Sequence, residues 1–103
     1  MNVAKKKDNE ALNGLRARID ALDDEILDLI QKRTAVALEI GRLKERHALP
    51  VLDLDREKAV LDRLMLKARG RPLKGPAIRD IFSAIIRACR GAEEEVKDEP
   101  GQP

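Results

Sequence analysis

A chain of 103 residues has room for one modest core and hides a smaller share of its surface than a larger domain does, so further copies or partner chains are a reasonable expectation. Its 21 Lys+Arg against 19 Asp+Glu give a formal charge of only +2, with the two signs interleaved, whereas a dedicated nucleic-acid binder is usually more lopsided. Phe82 is the only aromatic ring besides His47, which excludes the stacking platforms that bind single strands.

Lys5, Lys6 and Lys7 lead into Asp8, Asn9 and Glu10 with no apolar region following, so no signal peptide is expected, and no apolar run approaches membrane-spanning length. The lone Cys89 cannot make an intramolecular disulfide. The expected compartment is a reducing cytosol, with neither nucleic acid nor membrane as partner.

In chain order, residues 1–8 read as a disordered extension. From about Asn9 to Arg46 there is no proline, and Leu12, Leu15, Ile19, Leu22, Ile26, Leu29, Val36, Ile40 and Leu43 alternate in threes and fours. That spacing predicts one long helix with an apolar seam, widened by Leu27, Ile30 and Leu38. His47 to Leu52, with Pro50, predicts a break. A second helix over Asp53 to Arg69 follows from Val60, Leu61, Leu64 and Ala68, and the Gly70 to Pro76 stretch is the next connection. Pro76 suits the first turn of a third helix that carries Ile78, Ile81, Phe82, Ile85, Ile86 and Cys89 on one face. Residues 97–103 are too poor in apolar side chains to pack and read as a tail. The fold class is all-α, three helices in one domain over residues 9–96.

A first helix of some 38 residues would be roughly 57 Å long, against a radius of gyration of about 13 Å for a compact globule of this size. Its seam runs the whole length, so the projecting part needs cover, and an intertwined homodimer supplies it. The alternative is a bend near Gly41 that folds the helix back on itself.

The seam steps from Leu29 to Arg33 to Val36, which puts a guanidinium in an apolar register. An uncompensated buried charge costs several kcal/mol, so Arg33 meets either a carboxylate of the protein, fixing helix register, or an anionic ligand. Lys44 follows eleven residues later, almost at the same azimuth and about 16 Å along the rise, so the two cations can close on a small dianion. Arg16 lies roughly 25 Å before Arg33 on another azimuth, and only in a dimer can it complete a site, that of the other subunit. At the start of the second helix, Asp53 is a good N-cap and Glu57 meets the helix dipole, whereas Arg56 opposes it. Glu93 follows Cys89 by one turn and extends that face as an ionisable group, unless Gly91 ends the helix first. With one histidine and no glycine-rich phosphate loop, the available chemistry is electrostatic, without metal, cofactor or covalent intermediate.

Leu15-Arg16-Ala17-Arg18-Ile19-Asp20, Gln31-Lys32-Arg33, Glu39-Ile40-Gly41-Arg42-Leu43-Lys44, Pro50-Val51-Leu52-Asp53-Leu54-Asp55-Arg56-Glu57, and Ile81-Phe82 with Ile85-Ile86 resemble, in this order and spacing, the all-helical chorismate mutases. The resemblance runs from about Leu12 to Glu93. It implies an intertwined homodimer that rearranges chorismate to prephenate in aromatic amino acid biosynthesis. Carried over by position, Arg33 and the partner subunit's Arg16 would grip the two substrate carboxylates, and Lys44 would contact a carboxylate and the breaking ether oxygen. Glu57 would accept from the ring hydroxyl, Asp53, Arg56 and Cys89 would line the site, and a protonated Glu93 would donate to the ether oxygen. Cys89 stands where serine is common in relatives.

Two other readings compete. A lyase of the same fold would remove pyruvate from isochorismate, but the position of Glu57 looks apolar in such enzymes. A helical interaction module would use Arg33 only to fix register, and Arg33→Leu would then stabilise it.

Overall fold

The structure, a computed structural model, describes residues 3–97. Three helices follow one another: α1 (Val3–Arg46), α2 (Leu54–Lys67) and α3 (Gly75–Lys97), with no strand among the described residues. The chain divides at position 33 into two units, each coherent within itself.

The first unit is the part of α1 that precedes Arg33. Its helix begins at Val3, six residues before the expected start, so the reading of residues 1–8 as disordered is corrected for residues 3–8. Ala4 and Lys5 to Lys7 are good helix formers, and nothing in that stretch stops a helix from propagating toward its N-terminus. The seam side chains Leu12, Leu15, Ile19, Leu22, Ile26 and Leu29 are between 43% and 62% exposed, far more than an apolar face at rest in a core.

The second unit, from Arg33 onward, holds the core. Ala37 of α1, Val51 of the first connection, Val60 and Ala68 on or beside α2, and Ile86 and Cys89 of α3 are its buried apolar residues. They are small or medium-sized, so the helices approach closely without filling a deep interior. α1 continues unbroken through Gly41, so no break in the helix occurs there. Gly41 instead meets α3: a Cβ on it would lie 3.2 Å from Cγ and 3.3 Å from Cβ of Glu93. Glycine lets the two helices approach this closely, since a Cβ here would make Glu93 give way by a few tenths of an ångström, and no unusual backbone angle is involved.

α1 ends by local chemistry. Ala48 adopts a left-handed φ of +54°, Leu49 N–H reaches back to the Lys44 carbonyl at 2.8 Å, and Ala48 N–H to that of Glu45 at 3.2 Å. This pair of reversed hydrogen bonds satisfies carbonyls that the helix leaves orphaned, and Pro50 just beyond prevents continuation. α2 opens on Asp53, whose carboxylate accepts from the Arg56 N–H at 3.0 Å as an N-cap. α3 carries Pro76 in its first turn and runs past Gly91 to Lys97, so Gly91 does not end it and Glu93 lies well inside the helix. Of the expected tail, Lys97 closes α3 and residues 98–103 lie outside the described residues.

Two substitutions test these local assignments. Gly91 has open space where a Cβ would go, so Gly91→Ala should stabilise by about 0.5–1 kcal/mol through helix propensity. Ala48→Gly should gain a similar amount, roughly 1 kcal/mol, by relieving the left-handed turn. Urea midpoints measure both, and a loss of stability in either would show its local geometry to be wrong.

Candidate active site

A cavity of about 370 Å³ opens in the second unit, within the range of small-molecule sites. The face of α1 that reaches it is spelled by positions 33, 36, 37, 40 and 44, the three-four spacing of one helix stripe. Arg33 and Lys44 stand at its two ends, with Val36, Ala37 and Ile40 between them. The connection and α2 supply Val51, Asp53, Arg56, Glu57 and Val60, and α3 supplies Ile86, Cys89, Arg90 and Glu93. Thus Arg33, Lys44, Asp53, Arg56, Glu57, Cys89 and Glu93 come to one place from three helices and a loop. Arg16 is exposed on the part of α1 before Arg33 and is not among the lining residues.

The turn that ends α1 also sets the geometry of its last cation. Lys44 Nζ donates to the carbonyl of buried Val51 at 2.8 Å, so the ammonium is tethered at the cavity wall. It stands 3.8 Å from Oε2 of Glu93, close enough for strong Coulomb attraction but too far for a hydrogen bond. Glu93 is 9% exposed, and Oε2 is buried with no hydrogen-bond partner among the described residues. Burial pushes its carboxyl above the ordinary range, an effect that Lys44 and Arg33 oppose and that Glu94 and Glu57 reinforce. Burial is the largest of these influences.

Cys89 is 3% exposed, and its Sγ lies 3.5 Å from Thr34 Oγ1, a weak cross-helix contact. Sulfur in this position packs as a small apolar group and offers at most a weak thiol donor. Arg56 is exposed at the rim, and Arg33 is half-buried; among the described residues neither guanidinium has a salt-bridge partner within 4.0 Å.

Arg90 is the residue that reading the sequence missed. Its Nη1 donates to Oε2 of Glu57, joining α3 to the first turn of α2 at the cavity wall. A signal was available, since Arg90 follows Cys89 directly and precedes Glu93 by three positions, one helical turn.

A family model described as chorismate mutase type II matches residues 15–94, most of the chain. The chain belongs to the chorismate mutase type II family. It is 33% identical over 86 residues to the T-protein of Haemophilus influenzae, covering 84% of this chain and 23% of that protein. To the 4-amino-4-deoxychorismate mutase of Streptomyces venezuelae it is 34% identical over 80 residues, 77% of this chain and 78% of that one. The crystal structure of chorismate mutase from Helicobacter pylori in complex with prephenate matches with a TM-score of 0.79 at 32% identity, covering 87% of this chain and 97% of that chain. The chain spans about a quarter of the length of the T-protein. No helix among the described residues is long and apolar enough to cross a membrane.

The raised Glu93 carboxyl has a consequence for stability. Its proton is held more tightly in the folded chain than in the unfolded one, so its contribution is fully present below the ordinary carboxylate pKa and is lost as pH rises through the raised value. Glu93→Gln removes this loss. The variant should therefore gain on the parent in urea midpoint as pH rises from 4 to 8; a parent that gains on the variant would mean that pairing with Lys44 outweighs burial.

Proposed function

We propose that this chain is a chorismate mutase, which isomerises chorismate to prephenate within its three-helix unit, residues 9–96. The observation that carries this reading is the charge balance of the cavity. Four cations, Arg33, Lys44, Arg56 and Arg90, face three acids, Asp53, Glu57 and Glu93. The cavity is cationic by one charge with Glu93 ionised and by two with it protonated, the form that burial favours, which complements a dianion. Prephenate, a dicarboxylate, is the molecule bound in the H. pylori relative.

The reaction breaks an ether C–O bond and forms a C–C bond in one ring of moving electrons, so no proton, nucleophile or cofactor has to be supplied. What remains for the protein is to hold the compact conformer and to stabilise charge building on the ether oxygen. Arg33 grips one carboxylate, which suits a planar guanidinium. Lys44, tethered by Val51, donates to a carboxylate and to the ether oxygen. Glu93, protonated, is the second donor to that oxygen, and Oε2, which has no hydrogen-bond partner among the described residues, is the atom available for it. Glu57 accepts from the ring hydroxyl, while Asp53, Arg56 and Cys89 shape the wall.

Arg16 enters from the partner subunit of an intertwined homodimer. Support comes from the seam of α1, whose half-exposed leucines and isoleucines would each contribute on the order of 1–2 kcal/mol on full burial. A single buried, unpaired Cys89 fits a reducing cytosol.

The test is the loss of chorismate followed with purified protein. Arg33→Ala and Lys44→Ala should each lower kcat/KM by roughly 10²–10³ or more with helical content unchanged, as loss of a preorganised donor does. Activity within twofold of the parent in both would refute the reading. Turnover should also decline as pH rises through the titration of Glu93, with a flatter profile in Glu93→Gln. Separately, mixing inactive Arg16→Ala with inactive Arg33→Ala should restore about a quarter of parental activity, because half the dimers become mixed and each mixed dimer regains one intact site. No recovery after exchange of subunits would show that Arg16 does not act across an interface.

A further inference from the structure

Each charged side chain of the cavity has a part in the proposed reaction except Arg90. It is held in the wall, with its side chain 30% exposed and that of its partner Glu57 24% exposed. The hydrogen bond to Glu57 favours the charged guanidinium against the opposing effect of burial, and the Coulomb attraction of Glu57 and Glu94 adds to it. Only Oε2 of Glu57 takes the Arg90 bond, and a carboxylate has acceptor sites to spare on both oxygens.

We propose that Arg90 is a specificity-determining residue: by pairing with Glu57 it aims that carboxylate at a neutral hydroxyl donor on the ligand ring and makes the subsite unfavourable to an ammonium in the same place. This rests on the chorismate reading and concerns one position of the same ligand. A glutamate without a cationic partner would attract an ammonium more strongly than a hydroxyl, since it would meet a full opposite charge. Arg90 changes both terms of that comparison. It cancels the charge of Glu57 and brings a like charge close to any ammonium, which is discrimination by repulsion as well as by fit. The hydroxyl loses nothing, because it needs only a fixed lone pair. The distinction is chemically relevant for this fold, since the Streptomyces venezuelae relative acts, by its name, on a ring that bears an amino group at such a position.

The proposal is tested by steady-state kinetics with the hydroxyl substrate, chorismate, and with its 4-amino analogue, read as substrate or as competitive inhibitor. Arg90→Gln should lower kcat/KM for the hydroxyl compound and lower the preference for hydroxyl over amine by on the order of tenfold. Arg90→Lys, which keeps the charge, should keep most of the preference. Glu57→Gln leaves Arg90 as an uncompensated cation and should raise discrimination against the amine, an outcome that stands even where Arg90→Gln folds poorly. Equal losses for both compounds in Arg90→Gln, or an unchanged preference in Glu57→Gln, would overturn the proposal and leave Arg90 as a structural ion pair. A parent enzyme that leaves chorismate unchanged would instead overturn the chorismate reading, and this inference with it.

Discussion

The crossing of α1 over α3 at Gly41 governs the rest of the site. With no side chain at position 41, the Cα, Cβ and Cγ of Glu93 lie within ordinary or tighter contact distance of where a Cβ would be. That approach carries a carboxyl into a place where one oxygen finds no hydrogen-bond partner among the described residues. Burial then raises the cost of its ionised form, and a carboxylic acid kept neutral can donate a hydrogen bond that a carboxylate cannot. A methyl group at position 41 would make the helices or the Glu93 side chain give way by a few tenths of an ångström, in a site whose purpose is fixed geometry.

Around that acid the cations are held by separate local devices. Lys44 is the last turn of α1, and the reversed turn after it presents the Val51 carbonyl that tethers its ammonium. Asp53 caps α2 and so fixes where Arg56 and Glu57 begin. Arg90 ties Glu57 to α3. Each contact is modest in energy, but together they hold charges before a ligand arrives, so little reorganisation is left for the moment of reaction. The proposed rearrangement, which exchanges no protons, would depend on this rigidity more than on any single strong interaction.

Much of this was legible from residue spacing. An arginine in an apolar seam and a lysine eleven positions on were expected on one side of a helix, and both line one cavity with Val36, Ala37 and Ile40 between them. The three helices and their connections were readable from periodicity and from Pro50, Gly70 and Pro76. Helix ends were harder: α1 begins earlier than its apolar pattern because Ala4 and the lysines propagate a helix without contributing to a seam. Gly91 looked like a stop signal, yet it sits inside α3, since a single glycine costs little in a helix anchored on both sides.

Arg90 and Gly41 were not legible in the same way, because their importance lies in what another helix brings to them. The apolar face of α3 is spelled by Ile78, Phe82, Ile85, Ile86 and Cys89, and a charged residue beside it reads as solvated until Glu57 is found opposite. Gly41 reads as a weak point in a long helix until Glu93 is found against it. Pairings across helices depend on packing distances that periodicity does not carry.

Burial pushes the Glu93 carboxyl toward its protonated form beside an ammonium that Val51 holds in place, and the proposed reaction depends on that proton. The most direct measurement is a titration of the side-chain carboxyl carbon of Glu93 by nuclear magnetic resonance in the folded protein, assigned by its loss in Glu93→Gln. The expected midpoint lies above the ordinary carboxylate range. A midpoint at or below that range would show an ionised Glu93 paired with Lys44, and the proposed donor would be absent.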